Sequence, residues 1–449
     1  MRSSLRSGQT TVLERLEGEL AAVRADRNDL GAFVAVADDD VLDLARAADE
    51  RIRARGAEAW SGQPLLGITV SVKDLIQTET LPTRRGSLVA NARPRLDPPA
   101  VARLRAAGAI VIGKTTTSEH GWSASTVSRI TPPTRNPWDR GRTAGGSSGG
   151  AAAAVASGLG TVALGTDGAG SIRIPASFCG VVGFKPSLGK IPYVPTCADR
   201  LAHVGPLATS TDDIIELMGV LVGPDSADPD SVASMVAPPR SDGLRVGWVE
   251  FPGTSPEVAR ACVPVRALVE LRQHRFETIA VPFTDPYPAI VDIIAAAEAA
   301  GIGPEDEEWG DPGRLAVADY GGTIPAAQLV HAEQVRMALR TTMRSVMDDF
   351  DLLVMPTVSI EPFAMDAVAP PWAAAPEDLL WLAWSPASYP FNMTGQPALS
   401  LPIGRTASGL PVGIQIVGPC GGDDLVTSFA RDLETDRGPF PCSRRTHER

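Results

Sequence analysis

The feature that most restricts the fold is a pair of glycine- and serine-rich segments that enclose one predicted helix and one predicted strand. The first, residues 145–150, has the sequence GGSSGG and precedes an alanine-rich stretch at 151–156 that predicts a helix. An apolar stretch at 161–164 predicts a strand, and residues 165–171 then hold three glycines and a serine. Glycine lets the backbone approach a bound molecule and aim consecutive N–H groups at one point. The segments therefore predict a site that contains Ser147 and Ser171.

A second pattern is the order of strand-like and helix-like stretches in the first third of the chain. Apolar residues at 68, 70 and 72 alternate with Thr69, Ser71 and Lys73, which predicts a strand with one polar face. Residues 99–107 predict a helix, and the apolar run at 109–113 is typical of a buried parallel strand. This order of strand, helix and strand predicts an α/β fold, with Lys73 on a polar strand face.

Length, charge and cysteine content exclude several classes of protein. The chain has 449 residues, enough for a large core, and a net charge of −12, which disfavours nucleic acid or an anionic membrane as a partner. No apolar run reaches the ~18 residues that a membrane-spanning helix needs. The five cysteines form no CxxC pair, so we expect no zinc site, no disulfide framework and a cytoplasmic location.

Lysine is rare, since only four of the 41 basic residues are lysine: Lys73, Lys114, Lys185 and Lys190. Arginine stays protonated in proteins, whereas a desolvated lysine can lose its proton and act as a base. The lysines therefore mark either positions that need deprotonation or positions that a compositional bias towards arginine spared by chance.

One competing motif contains Ser147. Residues 145–149 match GxSxG, the nucleophile elbow of α/β-hydrolases. Such an elbow directly follows a strand, but residues 136–143 are polar loop sequence, and no histidine after Ser147 lies in an evident catalytic setting. A glycine-rich loop explains the match better.

The two segments together resemble the amidase signature family. Residues 143–153 (TAGGSSGGAAA) and 165–186 (GTDGAGSIRIPASFCGVVGFKP) are similar to its signature almost throughout, and residues 67–74 (GITVSVKD) resemble its lysine-bearing strand. Residues 203–208, 389–398 and 409–418 are similar to further family elements. The resemblance covers residues 60–240 and 345–430 well, and the part between them loosely.

The resemblance implies a catalytic triad of two serines and a lysine. Ser171 would be the nucleophile, Ser147 the bridging serine that relays the proton, and Lys73 the neutral base, with a cis peptide bond before Ser147. The chemistry is consistent, because a serine hydroxyl needs a base and lysine serves as one only when burial lowers its pKa from ~10.4.

The resemblance also implies an oxyanion hole made by the backbone N–H groups of Gly168, Ala169, Gly170 and Ser171. The family has glycine where Ala169 stands. If that position needs a positive φ, alanine adds strain or shifts the loop, and activity is lower or the substrate range altered.

Further residues match family positions outside the triad and the oxyanion hole. Ser148, Asp167 and Arg173 match positions that support the triad, although a purely structural role fits them equally well. Trp122 matches a segment that lines the substrate pocket, while a place in the core is the simpler account of any tryptophan. The resemblance implies no metal and no cofactor.

For the whole chain, the resemblance implies a single large α/β domain with a mixed, twisted central sheet and helices on both faces. Residues 1–60 are expected to form a helical lead-in packed on the core, and residues 61–449 the amidase domain. Within it, we expect a signature core at about 61–240, a variable helical, substrate-side region at about 250–390, and closing strands with a C-terminal helix at about 391–440.

The implied reaction is hydrolysis of a carboxylic amide to the carboxylate and ammonia or an amine, through an acyl-enzyme on Ser171. The alternatives are the glutamine-hydrolysing A subunit of a tRNA-dependent amidotransferase, and a hydrolase of carbamates, ureas or oligoamides. A catalytically silent scaffold is the alternative from another class. The expected partner is a small-molecule amide, without direct nucleic-acid or membrane binding, and a homodimer stays open.

Overall fold

Eleven strands form one sheet in the computed structural model, which describes residues 3–26, 29–89, 96–195, 197, 199–232, 243–441 and 443. The strands, in chain order, are β1 Phe33–Val36, β2 Thr69–Lys73, β3 Ile110–Thr115, β4 Val162–Asp167, β5 Val182–Lys185, β6 His203–Ala208, β7 Arg245–Glu250, β8 Arg275–Ala280, β9 Leu352–Pro356, β10 Ala398–Arg405 and β11 Pro411–Val417.

The sheet is mixed, with the strand order β1-β3-β2-β4-β6-β5-β10-β11-β9-β7-β8. Strand β2 lies parallel to both β3 and β4, and β7 lies parallel to both β8 and β9, whereas every other neighbouring pair is antiparallel. The β2–β3 pair is the strand, helix and strand unit that the sequence predicts, and it lies beside β4 in the sheet.

Sixteen α-helices lie in the described residues: α1 Ser3–Arg6, α2 Val12–Ala25, α3 Val41–Arg55, α4 Pro99–Ala106, α5 Gly149–Ala156, α6 Arg173–Cys179, α7 Thr211–Leu221, α8 Pro229–Val232, α9 Pro256–Cys262, α10 Val265–Leu271, α11 Tyr287–Gly301, α12 Asp306–Trp309, α13 Pro312–Thr323, α14 Ala326–Asp349, α15 Pro390–Thr394 and α16 Asp423–Arg437. Short 3₁₀ helices add Gly56–Trp60, Glu119–Gly121, Pro371–Ala373 and Pro376–Asp378.

The helices cover both faces of the sheet. On β4, Val162 and Leu164 pack with α2, α4, α7 and α16 on one face, while Ala163 packs with α5 and α6 on the other. On β9, the same alternation sends Val354 to the first face and Met355 to the second, where α11, α13 and α14 lie. Because both faces are covered, the strands near the centre are buried along their whole length. The predicted mixed sheet between helices is confirmed.

The first 60 residues contain a strand besides the helices of the lead-in that the sequence predicts. Helices α2 and α3 form as predicted, but Phe33–Val36 between them is an edge strand paired antiparallel with β3. Four half-buried residues are too few to show strand periodicity, and the strand exists because β3 offers it backbone partners. The lead-in therefore extends the same sheet.

Two sequence predictions fall on residues outside the described part of the chain, namely the boundary at residue 240 and the thiol at position 442. Among the described residues, no helix has both the length and the apolar character needed to cross a membrane.

Candidate active site

Three sheet-to-helix connections bring the predicted triad together. Lys73 is the last residue of β2, and the alternation that sends Val70 and Val72 to one face sends Lys73 to the opposite face, where α5 packs. Ser147 lies just before α5, and Ser171 lies between β4 and α6. Because β2 and β4 are parallel neighbours, their ends meet at one edge of the sheet.

The three side chains form a continuous hydrogen-bonded chain. Lys73 Nζ lies 2.8 Å from Ser147 Oγ, and Ser147 Oγ lies 3.0 Å from Ser171 Oγ. The peptide bond between Gly146 and Ser147 is cis, as the resemblance implies. Hydroxyl hydrogens rotate freely, so a neutral Lys73 can accept from Ser147 while Ser147 accepts from Ser171.

Close backbone packing holds Ser147 in place. A Cβ atom built on Gly146 would lie 2.0 Å from the carbonyl oxygen of Ser125, and one built on Gly121 would lie 3.1 Å from Ser147 Oγ. Neither position has room for a side chain without moving its neighbours. Glycine at these two positions therefore lets the protein pack closely around Ser147.

Burial determines the protonation of Lys73. The side chain is fully buried, and desolvation lowers its pKa to about 7 although the negative charge of Asp167 acts in the opposite direction. Its other contacts are with Thr166, whose hydroxyl lies 2.9 Å and whose carbonyl oxygen lies 3.4 Å from Nζ. A substantial fraction of Lys73 is therefore neutral near pH 7.

Lys114 and Lys185 are equally buried but have different partners. Burial lowers the pKa of Lys114 to about 8 and that of Lys185 to about 7. Lys114 donates to the carbonyl oxygen of Ile76 at 2.5 Å and to Thr83 Oγ1 at 2.7 Å, and Lys185 donates to the carbonyl oxygens of Gln396 and Pro186. Of these three lysines, Lys73 is the one whose hydroxyl partner, Ser147, is bonded in turn to a second serine, Ser171.

A buried ion pair holds the second glycine-rich segment. Arg173 donates from Nε to Asp167 Oδ2 and from Nη2 to Oδ1, both at 2.9 Å, and neither side chain is exposed to solvent. Burial alone would raise the pKa of Asp167, but the charge and hydrogen bonds of Arg173 outweigh it and hold this pKa far below its ordinary value. Asp167 stays ionised and fixes the loop between β4 and α6.

Further polar residues complete this ion pair. Asn392 accepts from Arg173 at 2.6 Å and donates to Asp167 Oδ1 at 2.9 Å. Gln415 Oε1 and the carbonyl oxygen of Ser388 accept the remaining guanidinium hydrogens at 2.5 and 2.9 Å. The sequence predicted no role for these residues or for Thr166. The only sequence signal for Thr166 is that it directly precedes Asp167. The only signal for Asn392 is that it lies within residues 389–398, which are similar to a family element.

The loop leaves three of its four predicted oxyanion donors available. The N–H of Gly170 donates to Asp167 Oδ1 at 2.7 Å, which removes it from the set. Within the described part of the chain, the N–H groups of Gly168, Ala169 and Ser171 have no acceptor. These three N–H groups therefore stay candidates for the predicted oxyanion hole.

Alanine at position 169 causes no backbone strain. The residue with a positive φ in this loop is Gly170, at +121°, and Ala169 is not among the residues with a positive φ. The strain considered for an alanine at this position therefore does not arise. Ser388 Oγ donates to the carbonyl oxygen of Ala169 at 2.9 Å and holds it from outside.

Ser148 lies between α5 and β4, and Trp122 lies in the wall of the cavity. The buried hydroxyl of Ser148 donates to the carbonyl oxygen of Thr166 at 3.1 Å, which ties the start of α5 to β4. Trp122 lines the cavity next to the triad, and its ring packs against the position of Gly313 in α13. Trp381 and Trp384 are core residues, in line with the simpler account of a tryptophan.

A cavity of about 410 Å³ opens onto the triad. Ser147, Gly168, Ala169 and Ser171 are among the residues that line it. Its walls are part apolar and part charged: Leu75, Arg85, His120, Gly121, Trp122, Ser123, Thr166, Tyr193, Pro195, Cys197, Asp199, Ala202, Ile294, Ala297, Glu298, Gly301, Arg314 and Leu382. A cavity of this size accepts a small organic molecule.

One group of described residues has the donor set of a metal site, but an arginine occupies it. The potential ligand atoms of Glu119, His120 and Asp306 lie within 4.8 Å of one another. Arg314 Nη1 lies 3.1 Å from Glu119 Oε1 and 2.7 Å from Asp306 Oδ1. The guanidinium already neutralises these carboxylates where a cation would bind.

Comparisons with known proteins agree with this geometry. The model of the Amidase family matches residues 16–427. An acylamidase of Rhodococcus erythropolis is 34% identical, over 97% of this chain and 94% of its own length. The A subunit of the glutamyl-tRNA(Gln) amidotransferase of Thermus thermophilus is also 34% identical, over 97% and 96%.

A solved structure of a bacterial aryl acylamidase of the amidase signature family superposes with a TM-score of 0.85 at 25% identity, over 98% of this chain and 96% of that one. Since the family model covers most of the chain and these relatives match it over nearly its whole length, the protein belongs to the amidase signature family and is an amidase that hydrolyses carbon–nitrogen bonds of amides.

Proposed function

We propose that this amidase acts through an acyl-enzyme on Ser171, with Ser147 as the proton relay and Lys73 as the base. The observation that carries the proposal is the hydrogen-bonded chain from Lys73 Nζ through Ser147 Oγ to Ser171 Oγ, at 2.8 and 3.0 Å, beside the cavity. The lowered pKa of Lys73, about 7, supports the role of base because the neutral amine is available near neutral pH.

In the first half of the reaction, Ser171 Oγ attacks the amide carbonyl while its proton passes to Ser147 and the proton of Ser147 passes to Lys73. The N–H groups of Gly168, Ala169 and Ser171 stabilise the oxyanion. The protonated Lys73 returns a proton through Ser147 to the leaving nitrogen, the carbon–nitrogen bond breaks, and ammonia or an amine departs. A water molecule, deprotonated by the same relay, then hydrolyses the ester, releases the carboxylate and restores Ser171.

Covalent labelling tests this assignment without knowledge of the substrate. A fluorophosphonate probe is expected to add one adduct to the wild-type protein by intact-mass analysis, and none to Ser171→Ala. The matched control is Ser148→Ala, which removes a neighbouring buried hydroxyl that points to Thr166 and should still be labelled. Labelling of Ser171→Ala would contradict the assignment, and an unlabelled wild-type protein would favour the silent scaffold.

The substrate class that the relatives favour is a carboxylic amide with a small amine or aryl amine as leaving group, since an acylamidase and an aryl acylamidase match over nearly the whole chain. The equal identity to the A subunit of an amidotransferase keeps glutamine hydrolysis as the second candidate. Release of aniline from anilides by the purified chain favours the first. Release of ammonia from glutamine, with no turnover of anilides, favours the second.

We further propose a cytoplasmic location, supported by the cysteines of the described residues, all four of which are free. The net charge of −12 supports the absence of direct nucleic-acid binding. A homodimer and the absence of membrane binding stay predictions that sedimentation of the purified protein, alone and with lipid vesicles, tests.

A further inference from the structure

Two arginines line the cavity, and their surroundings differ. Arg314 is almost fully buried and already neutralised, because it lies 3.1 Å from Glu119, 2.7 Å from Glu298 and 2.7 Å from Asp306. Its charge is balanced by carboxylates of the protein. It therefore shapes the wall and has little attraction left for a bound anion.

Arg85 is the other cavity-lining arginine, and its guanidinium has no hydrogen-bond acceptor and no carboxylate partner among the described residues. The side chain is half-buried. Its positive charge still acts on the cavity. The pKa of His120 is lowered to about 4, mainly by burial and then by the positive charges of Arg314 and Arg85. His120 is therefore neutral near pH 7, so it adds no positive charge beside Arg85.

The backbone holds Arg85 close to the triad. Its N–H donates to the carbonyl oxygen of Asp74 at 3.1 Å, and its own carbonyl oxygen accepts from the N–H of His120 at 2.8 Å. His120 adjoins Gly121, which packs directly against Ser147. Arg85 and Ser171 line the same cavity, so the Arg85 side chain borders the space in which a substrate of Ser171 lies.

Among the described residues, neither carboxylate of the cavity wall forms an ion pair with Arg85. Glu298 is bonded to Arg314, and Asp199 accepts the N–H of Leu201 at 3.0 Å. An arginine without a partner in a partly desolvated cavity binds a carboxylate well, since its planar fork matches the two oxygens and the local dielectric constant is low. Among the described residues, the cavity therefore has one unsatisfied cation beside an amide-cleaving site.

We propose that the natural substrate is an amide that also bears a carboxylate, and that Arg85 determines specificity by binding that carboxylate while Ser171 attacks the amide. Monoamides of dicarboxylic acids and N-acylated amino acids or aminobenzoates share this chemistry. The inference rests on the proposed acyl-enzyme mechanism and adds the substrate class to it.

Matched pairs of anilides test the inference. One pair is glutaric acid monoanilide and its terminal carboxamide, which differ in the charge on the acyl side. The other is 3-acetamidobenzoate and 3-acetamidobenzamide, which differ in the charge on the amine side. In both pairs the initial release of the aryl amine is measured, because the carboxamide group is itself a cleavable amide. For the wild-type protein, kcat/KM is expected to be about ten- to a hundredfold higher for the carboxylate in at least one pair, the size expected for a hydrogen bond to a charged group.

Substitution of Arg85 should remove this preference. In Arg85→Met the ratio of kcat/KM between carboxylate and carboxamide is expected to fall to about one, mainly through KM, and in Arg85→Lys part of the ratio should return because the charge is kept. The control is Arg84→Met, which changes the adjacent exposed arginine outside the cavity and should keep the wild-type ratio. Thermal melts identify any variant that fails to fold.

The outcomes separate this inference from the mechanism beneath it. Faster turnover of the neutral member in both pairs, or a wild-type ratio retained in folded Arg85→Met and Arg85→Lys, overturns the role of Arg85 while leaving the acyl-enzyme proposal intact. Failure of the acyl-enzyme proposal shows instead as an unreactive Ser171 in the fluorophosphonate experiment, which needs no substrate.

Discussion

At the residue scale, the three buried lysines show how partners decide the role of a side chain. Burial lowers the pKa of all three, so a low pKa by itself does not distinguish a base from a structural cation. Lys185 donates to backbone carbonyl oxygens and Lys114 to a carbonyl oxygen and the hydroxyl of Thr83, whereas Lys73 contacts Ser147, whose hydroxyl is bonded in turn to Ser171. The hydroxyl of Ser147 can relay a proton to and from Ser171.

The base assignment predicts the pH dependence of the reaction. Lys73 is active when neutral, and with a pKa of about 7 it is mostly protonated at pH 5 and mostly neutral at pH 9. We expect kcat/KM to rise through about pH 7 and then level off. A rate that stays flat from pH 5 upwards would count against a lysine base.

Replacement of Lys73 gives an independent check. Lys73→Ala is expected to lower kcat by about 10²–10⁴-fold, the range for loss of a general base. Lys73→Arg keeps the positive charge but cannot supply a neutral amine, so its loss should be of the same order. Near wild-type turnover in Lys73→Arg would show that the charge, and not deprotonation, is what the site uses.

At the element scale, the connection between β4 and α6 determines which backbone N–H groups beside Ser171 stay free. The ion pair between Asp167 and Arg173 joins the two elements, and Asn392 ties both to α15. Asp167 also accepts the N–H of Gly170, which turns the loop so that neighbouring N–H groups stay free of acceptors among the described residues. The loop is therefore shaped by contacts 225 residues apart in the sequence.

Two glycines of this loop predict opposite responses to the same substitution. Gly170 has a φ of +121°, and a Cβ there would lie 2.7 Å from Ser388 Oγ, so Gly170→Ala should lower the free energy of unfolding by about 1–3 kcal/mol and disturb the oxyanion donors. Gly168 has nothing within 4 Å of such a Cβ, so Gly168→Ala should change stability by less than about 0.5 kcal/mol. Urea unfolding compares the two, and equal effects would contradict this account.

At the scale of the whole molecule, the N-terminal residues are part of the main core. Strand β1 lengthens the sheet, and Leu16 and Leu20 of α2 belong to the same buried cluster as Val70 and Val72 of β2. Helix α2 therefore packs, through that cluster, behind the strand that ends in Lys73. A substitution that removes a buried side chain of α2 should therefore lower the stability of the whole protein.

A matched pair of leucine substitutions tests that integration. Leu16 is fully buried, so Leu16→Ala is expected to destabilise the protein by about 2–5 kcal/mol. Leu44 in α3 is 48% exposed, and Leu44→Ala should change stability by less than about 0.5 kcal/mol. Both are measured on the unfolding transition of the full chain by urea. A main transition left unchanged by Leu16→Ala would mean that the lead-in unfolds separately.

The sequence by itself determined the family, the α/β class, and the helices and strands with long regular patterns, and it named the residues of the proposed triad. It could do so because these depend on local periodicity and on a run of glycines and serines that few other structures require. The sequence did not predict the short edge strand β1, because that strand forms through pairing with β3 and not through local preference.

Only the tertiary structure decided which polar groups are left free for chemistry. Burial of Lys73 lowers its pKa, Asp167 removes the N–H of Gly170 from the oxyanion donors, and three carboxylates neutralise Arg314 while none of the described carboxylates pairs with Arg85. The contact of Lys73 with Ser147 and the pairing of Arg314 with Glu119 join groups distant in the chain. Asp167 lies only three residues before Gly170, but it is held by Asn392 from 225 residues away. Desolvation and pairing are properties of the packed molecule. The sequence shows which residue types are present, and the fold decides which of them are charged and which hydrogen-bonding groups stay free.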